Sequence, residues 1–193
     1  MKRIAIVGKI GSGKTFVSLS FGLPVFNADL EVSKIYKKDR NFFKKLKKRL
    51  PNYIKSFPIE KRELQETILK NSNNLKKITN LIHPVVRKKM LLFLKKNKKK
   101  KGVVLDIPLY FENKINKKSD IIVFVDSKQK EINRRLQKRS YYNKKLLERF
   151  KKIQLKSNLK RKKSNYIIKN NFKPKIVIDG VKALKGKIFS NEK

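Results

Sequence analysis

The chain has 193 residues, of which 54 are Lys or Arg and 14 are Asp or Glu, giving a formal net charge of +40. It contains no cysteine, which excludes disulfides, thiolate metal sites and thiol catalysis and favours the cytoplasm. The length suits a single domain, and the apolar runs fall far short of the roughly 20 residues that a membrane span needs, so we expect no membrane partner.

The first predicted elements alternate between short apolar runs and longer amphipathic stretches. Residues Arg3 to Val7 are typical of a strand buried on both faces, and a helix is expected from Lys14. The run PVFNAD predicts a second strand that ends at Asp29. From about residue 30 to residue 101 the spacing of apolar residues is mainly helical, which predicts a helical insert.

The second part of the chain continues this alternation. Pro84 predicts the start of a helix, because proline suits a first helical turn. The runs GVVLDIP, DIIVFVD and NYIIKN predict three more strands, and residues 128–163 are expected to be helical and very basic. KIVID near the end predicts a short edge strand followed by a frayed helix. Strands alternating with helices predict an α/β fold with a central, mostly parallel β-sheet flanked by helices.

The turn after the first strand matches a nucleotide-binding loop. Gly8-x-x-x-x-Gly13-Lys14-Thr15 fits the G-x-x-x-x-G-K-[ST] pattern in the strand-to-helix setting that this pattern requires. The glycines let backbone N–H groups face a phosphate, Lys14 is suited to the β- and γ-phosphates, and Thr15 to Mg²⁺. We expect ATP or GTP to be bound by Gly8, Gly11, Ser12, Gly13, Lys14, Thr15 and Phe16.

Two carboxylates lie at or near the ends of predicted strands, at the edge of an α/β sheet where ligand-binding groups gather. Asp29 is suited to orient an acceptor hydroxyl and take its proton, with a helix cap as the alternative. Asp106 is suited to hold magnesium, directly or through water, with a cap of the following turn as the alternative.

Two arginines, Arg135 and Arg139, are four residues apart, which places both on one face of a predicted helix. Small kinases stabilise the transferring phosphoryl group with arginines carried by a mobile lid. A basic surface helix explains the same spacing, so both interpretations remain open.

Taken in order, these motifs resemble the dephospho-coenzyme A (dephospho-CoA) kinase family. The resemblance covers nearly the whole chain and rests on GKIGSGKT, NAD at 27–29, HP at 83–84, DIPLYFE at 106–112, the two lid arginines, the spacing from Arg149 to Gln154, and the closing residues 164–170. It implies a P-loop kinase fold and transfer of the ATP γ-phosphoryl group to the ribose 3′-hydroxyl of dephospho-CoA. The products are CoA and ADP, in the final step of CoA biosynthesis.

The resemblance also implies one domain in three parts: a nucleotide-binding core (about 1–29, 102–127 and 164–193), a helical substrate-binding region (about 30–101) and a lid with flanking helices (about 128–163). It makes Lys14, Asp29, Arg135 and Arg139 catalytic and adds Arg149 and Asn170 to the ATP site. It assigns substrate binding to Asp29, Lys61, Arg62, His83, Pro108 and Glu112. A helix cap is an equally simple role for His83.

The sequence departs from the family pattern in three motifs, at four residues. Lys9 replaces a usual Gly, which is acceptable where its φ is negative and its side chain points outward. Asn27 replaces the first Asp of the second motif, and Ser164-Asn165 replace Ala-Asp near the expected position of the base. None of these changes removes a predicted catalytic residue, so we expect activity.

Two other functions remain compatible with the sequence. One is a different small-molecule or nucleotide kinase on the same scaffold, distinguished by its acceptor. The other is a basic nucleic-acid-binding ATPase, which only the charge favours. Because the Lys excess is spread along the chain and no RNA- or DNA-binding motif accompanies it, we expect ATP and dephospho-CoA as partners and no specific nucleic acid.

Overall fold

The structure is a computed structural model that describes residues 1–140 and 142–190. The chain divides into two compact units. The sheet unit comprises Met1–Asn27, Asn97–Tyr142 and Lys151–Lys193, and the helical unit comprises Ala28–Lys96 and Asn143–Phe150. Among the described residues, no helix is long and apolar enough to cross a membrane.

The sheet unit is built on five parallel strands in the order β2-β3-β1-β4-β5. In chain order the strands are β1 (Lys2–Gly8), β2 (Val25–Asn27), β3 (Gly102–Asp106), β4 (Ile121–Asp126) and β5 (Tyr166–Lys169). The predicted α/β fold with a parallel sheet is confirmed. Because the strands are parallel, their carboxyl ends share one edge, and in the register Asn27 lies opposite Asp106.

Helices connect most of these strands along the chain. In order they are α1 (Lys14–Ser20), α2 (Ala28–Lys38), α3 (Arg40–Arg49), α4 (Lys61–Lys70), α5 (Ser72–Lys96), α6 (Gln129–Gln137), α7 (Lys144–Lys152), α8 (Ser157–Lys162) and α9 (Pro174–Phe189). The predicted helical stretch at 128–163 therefore contains three helices, and Tyr141 within it lies outside the described residues.

Helices α1 and α9 supply the helical side of the sheet unit's core, which also contains apolar residues from β1, β3, β4 and β5. The edge strand predicted for KIVID is wrong, because these residues lie in α9. Pro174 starts this helix, and the buried residues Val177, Val181, Leu184 and Ile188 recur at helical spacing. The helical spacing of buried residues over the whole of α9, and not the alternation within KIVID, determines the structure here. The last three residues of the chain lie outside the described part.

The helical unit has its own apolar core, to which α2, α3, α4, α5 and α7 contribute. The predicted helix start at Pro84 is wrong, since Pro84 lies inside α5. That helix begins after Asn71, whose side-chain oxygen accepts a hydrogen bond from the Asn73 amide at 2.9 Å. His83 therefore lies in mid-helix, which excludes the helix-cap role.

The second strand ends two residues earlier than expected. Strand β2 stops at Asn27 and α2 begins at Ala28, so Asp29 lies in the first turn of a helix. Asp29 is an exposed residue there, and the alternative in which it precedes and caps the helix is wrong because α2 already begins at Ala28.

Candidate active site

The loop between β1 and α1 needs its glycines for two separate reasons. Gly13 has φ 86°, a left-handed value, and a Cβ atom added there would collide with the side-chain amide of Asn170. At Gly8 an added Cβ would lie 2.9 Å from both the Ser12 hydroxyl and the Val125 carbonyl oxygen. The close approach of backbone segments around the loop therefore excludes side chains at both positions.

Two side chains fix the loop's backbone through one carbonyl group. The Ser127 hydroxyl donates to the Ser12 carbonyl at 2.9 Å, and Asn170 Nδ2 donates to the same oxygen at 2.8 Å. Asn170 is buried, and its Oδ1 accepts from the Phe172 amide at 2.8 Å. Asn170 thus supports the loop, while its direct contact with ATP stays a prediction.

The loop lysine lies folded against the start of the loop. Lys14 is buried, and its ammonium donates to the carbonyl oxygens of Lys9 at 2.9 Å and Gly8 at 3.4 Å. Lys9 itself extends to Gln129 Oε1 at 3.0 Å. Among the described residues, left-handed φ values outside glycine occur at Lys114 and Phe172 and not at Lys9. The Gly-to-Lys departure therefore fits, as predicted.

Three polar side chains meet where the loop adjoins the carboxyl ends of β2 and β3. Thr15 Oγ1 donates to Asp106 Oδ2 at 2.7 Å, and Asn27 Nδ2 donates to the same oxygen at 2.7 Å. Asp106 therefore lies beside the loop, and its role in holding magnesium stays a prediction. The sequence identified Asn27 only as a departure from the family pattern, because its contact with Asp106 depends on the strand register.

The donor set of this cluster suits Mg²⁺. Hydroxyl and carboxylate oxygens are the hard ligands that this cation prefers, usually beside phosphate oxygens and water. In the part of the chain that the structure describes, no group of three or more His, Cys, Asp or Glu is placed to hold a metal by itself. A cation at Thr15 and Asp106 would therefore depend on the nucleotide for further ligands.

One of the two predicted lid arginines is held beside the loop. The Arg135 guanidinium stacks 4.5 Å from the centroid of the Phe172 ring, and Phe172 Cε1 lies 3.4 Å from the Cβ position of Gly13. Helix α6 ends at Gln137, so the expectation that Arg139 leaves the same helix face is wrong. The Arg139 amide donates to the Leu136 carbonyl at 3.2 Å, in the turn after the last buried apolar residue of α6.

A buried lysine that the sequence motifs did not identify contacts the segment after β3. Lys160, only 2% exposed, donates to Glu112 Oε1 at 2.8 Å and to the Pro108 carbonyl at 3.3 Å. The same Glu112 oxygen accepts from the Leu155 amide at 2.8 Å. Both predicted substrate-binding residues of this segment, Pro108 and Glu112, are therefore joined by one buried ammonium group.

A second buried cluster holds the same segment from its other end. The Tyr110 hydroxyl donates to Asp120 Oδ2 at 2.5 Å, and Arg3 Nε lies 3.0 Å from Asp120 Oδ1. Burial and the adjacent Asp120 carboxylate raise the pKa of Tyr110 well above its usual range. The phenol therefore stays protonated and remains a hydrogen-bond donor.

The third departure from the family pattern has a structural role. Asn165 Oδ1 accepts from the Ile122 amide at 2.8 Å, at the start of β4, and the Ser164 hydroxyl donates to the Lys160 carbonyl at 2.7 Å. Both replacing side chains therefore support the backbone before β5.

The remaining predicted residues lie in the helical unit. Asp29 is in α2, and Lys61 and Arg62 are the first residues of α4, all three exposed. Arg62 Nε forms an ion pair with Glu66 at 2.9 Å. His83 is half-buried in α5, and burial lowers the pKa of its imidazole.

Arg149 has a well-defined partner inside the helical unit. Its guanidinium donates to the Ile68 carbonyl and, at 2.9 Å, to the Leu69 carbonyl. These carbonyls belong to the last turn of α4, where a cation is favourable. Arg149 therefore caps α4, and its predicted contact with ATP stays a prediction.

Comparison with known proteins identifies the family. Residues 2–175 match the family model described as dephospho-CoA kinase. The chain belongs to the dephospho-CoA kinase family. A dephospho-CoA kinase of Wolbachia pipientis wMel is 33% identical over 184 residues, covering 93% of this chain and 94% of the relative. That of Fusobacterium nucleatum is 31% identical, covering 87% and 89%.

A solved structure shows the same fold. The dephospho-CoA kinase of Campylobacter jejuni matches with a TM-score of 0.66 and 22% identity, covering 100% of both chains. The resemblance and the P-loop kinase fold predicted from the sequence are thus confirmed, and the chain is an ATP-dependent kinase of the dephospho-CoA kinase family.

Proposed function

We propose that the protein transfers the γ-phosphoryl group of ATP to the ribose 3′-hydroxyl of dephospho-CoA, giving CoA and ADP. Family membership supplies the reaction. The observation that carries the proposal to named residues is the cluster in which Thr15 and Asn27 both donate to Asp106 at 2.7 Å, directly beside a loop of the nucleotide-binding pattern.

At the loop, the amides of Ser12 to Phe16 bind phosphate oxygens and Lys14 contacts the β- and γ-phosphates. The nucleotide's phosphate oxygens replace the Gly8 and Lys9 carbonyl groups that now accept from the Lys14 ammonium. Thr15 and Asp106 are the residues that would hold Mg²⁺, and the cation would neutralise charge on the phosphates. Arg149 and Asn170 complete the proposed ATP contacts.

At the acceptor, Asp29 orients the 3′-hydroxyl and takes its proton. The 3′-oxygen forms a bond to the γ-phosphorus while the bond from that phosphorus to the bridging oxygen of ADP breaks, and the hydroxyl proton passes to Asp29. Substrate binding is assigned to Lys61, Arg62, His83, Pro108 and Glu112. Lid closure brings Arg135 and Arg139 to the transferring group and excludes water, and we place the reaction in the cytoplasm.

The test is ADP release from Mg·ATP with and without dephospho-CoA, with mass analysis of the acceptor. We expect an acceptor heavier by one phosphoryl group at the 3′ position. Without that product the proposed function fails.

The base assignment has its own test in Asp29→Asn. We expect the variant to lower kcat by about 10²- to 10⁴-fold while the protein stays folded. Asp179→Asn, an equivalent change at an exposed position of α9, is the matched control. Normal turnover in folded Asp29→Asn refutes the role of Asp29 as the base.

A further inference from the structure

We propose that Lys160 and the cavity that it lines form a phosphate-binding subsite beside the nucleotide loop. The inference rests on the proposed function and extends it, since it adds a residue that the sequence motifs leave out. Its ligand is a phosphate group of one of the two substrates.

The cavity lies within the sheet unit and measures about 330 Å³. Gly8, at the start of the nucleotide loop, lines one part of it. Four lysines line other parts, and none of its lining residues is acidic: the lysines are Lys9, Lys151, Lys156 and Lys160. A concave surface that carries only positive charge concentrates anions.

Lys160 differs from the other three lysines because its ammonium is buried and fixed. A buried ammonium group is stable only when it is paired and hydrogen-bonded, and Glu112 supplies that charge at 2.8 Å. The Pro108 carbonyl accepts a second hydrogen bond at 3.3 Å. Lys9 is half-buried, while Lys151 and Lys156 are exposed.

The Lys160 ammonium has one N–H group more than its hydrogen bonds use. It carries three N–H groups, and the hydrogen bonds of the described residues use two of them, to Glu112 and Pro108. Lys160 is one of the residues that line the cavity, and in this proposal an anion bound there accepts the third. The fixed position of the ammonium means that little side-chain entropy is lost when the anion binds.

The second ammonium group near this place is that of Lys14. It contacts the carbonyls of Gly8 and Lys9, two residues that also line the cavity. In this proposal, a phosphate group bound in the cavity interacts with both ammonium groups. Two sources supply that chemistry: the γ-phosphoryl end of ATP and the pyrophosphate of dephospho-CoA.

The experiment compares three variants of the full chain. Lys160→Met removes the charge, Lys160→Arg keeps it, and Lys162→Met is a matched control because Lys162 is exposed on the same helix, α8. Binding of inorganic tripolyphosphate is measured by calorimetry. We expect Lys160→Met to weaken binding about 10- to 100-fold, as for a lost charge-assisted hydrogen bond, Lys160→Arg to recover most of it, and Lys162→Met to change it less than about twofold.

Steady-state kinetics of the same variants identify the source of the phosphate. A rise in KM for ATP with Lys160→Met assigns the subsite to the γ-phosphoryl end, and a rise in KM for dephospho-CoA assigns it to the pyrophosphate. Because Lys160→Met leaves Glu112 buried without its partner, the double variant Lys160→Met/Glu112→Gln is measured as well. We expect the double variant to regain thermal stability but not tripolyphosphate affinity.

Wild-type affinity for tripolyphosphate in the folded double variant overturns the proposal. The calorimetric arm needs no turnover. A wild-type protein that makes no CoA therefore sinks the proposed function, whereas loss of the Lys160 effect on tripolyphosphate sinks only the subsite.

Discussion

Replacing Asn27 with Asp would place two carboxylates against each other at the edge of the sheet. The amide nitrogen of Asn27 now lies 2.7 Å from Asp106 Oδ2. Two carboxylates with their charges about 4 Å apart repel by about 4 kcal/mol at an effective dielectric constant of about 20, and a charge-assisted hydrogen bond of about 1.5–3 kcal/mol is lost. Since side-chain rotation and proton uptake relieve part of this cost, we expect a net loss of about 2–4 kcal/mol.

A loss of this size lowers Tm by about 5–15 °C in a protein of this length. Thermal melts of Asn27→Asp and the wild type, in EDTA and in millimolar Mg²⁺ without nucleotide, measure it. Mg²⁺ should reduce the difference in Tm between Asn27→Asp and the wild type, because a cation bound by two carboxylates stabilises the folded state. This readout does not involve catalysis.

The matched control is Asn165→Asp. Asn165 Oδ1 accepts from the Ile122 amide at 2.8 Å, and an Asp there keeps an acceptor while adding the same charge. If Asn27→Asp melts with the wild type in EDTA, or if Mg²⁺ raises its Tm no more than that of Asn165→Asp, the proposed arrangement around Asp106 is refuted.

Three further predictions concern stability. Tyr110→Phe removes the hydrogen bond to buried Asp120 and should cost about 1–3 kcal/mol in chemical denaturation; an unchanged midpoint contradicts this role. Burial lowers the pKa of His83, the single histidine. As pH falls below 6.5 the unfolded chain therefore binds the proton before the folded protein does, and the free energy of unfolding rises with pH toward 6.5. An ordinary pKa for His83 in an NMR titration contradicts this prediction. Arg149→Met should lower Tm by about 3–10 °C through lost carbonyl contacts in α4, and an unaltered melt rejects the cap.

The five strands were predictable because each is a short apolar run bounded by a glycine, proline or polar residue. Two wrong predictions of secondary structure arose where a pattern over a few residues competed with the apolar periodicity of a whole helix. KIVID alternates over five residues, but the buried positions from Val177 to Ile188 show the helical period only over the length of α9. Pro84 suits a helix start, but the surrounding apolar period in α5 continues through it.

The nucleotide loop was predictable because its chemistry demands fixed residues at fixed spacing. Lys14 and Thr15 follow from the pattern, and Asp106 from its position at the end of a predicted strand. The contact of Asn27 with Asp106 and the burial of Lys160 were not predicted, for different reasons. The contact of Asn27 depends on the register between β2 and β3, and Lys160 lies in the basic run LKRKKS, where only its burial separates it from its neighbours.

Of the five strands, β1 is synthesised before the others, and the two strands that pair with it are synthesised much later. Its two partners in the sheet begin at Gly102 and Ile121, and the helical unit needs residues 143–150 to be complete. Pairing between segments so far apart in sequence is slow to form. During synthesis, helices α2 to α5 can form from local contacts while the apolar run of β1 still awaits both neighbours. We therefore expect the nascent chain to close its sheet only after most of it has left the ribosome.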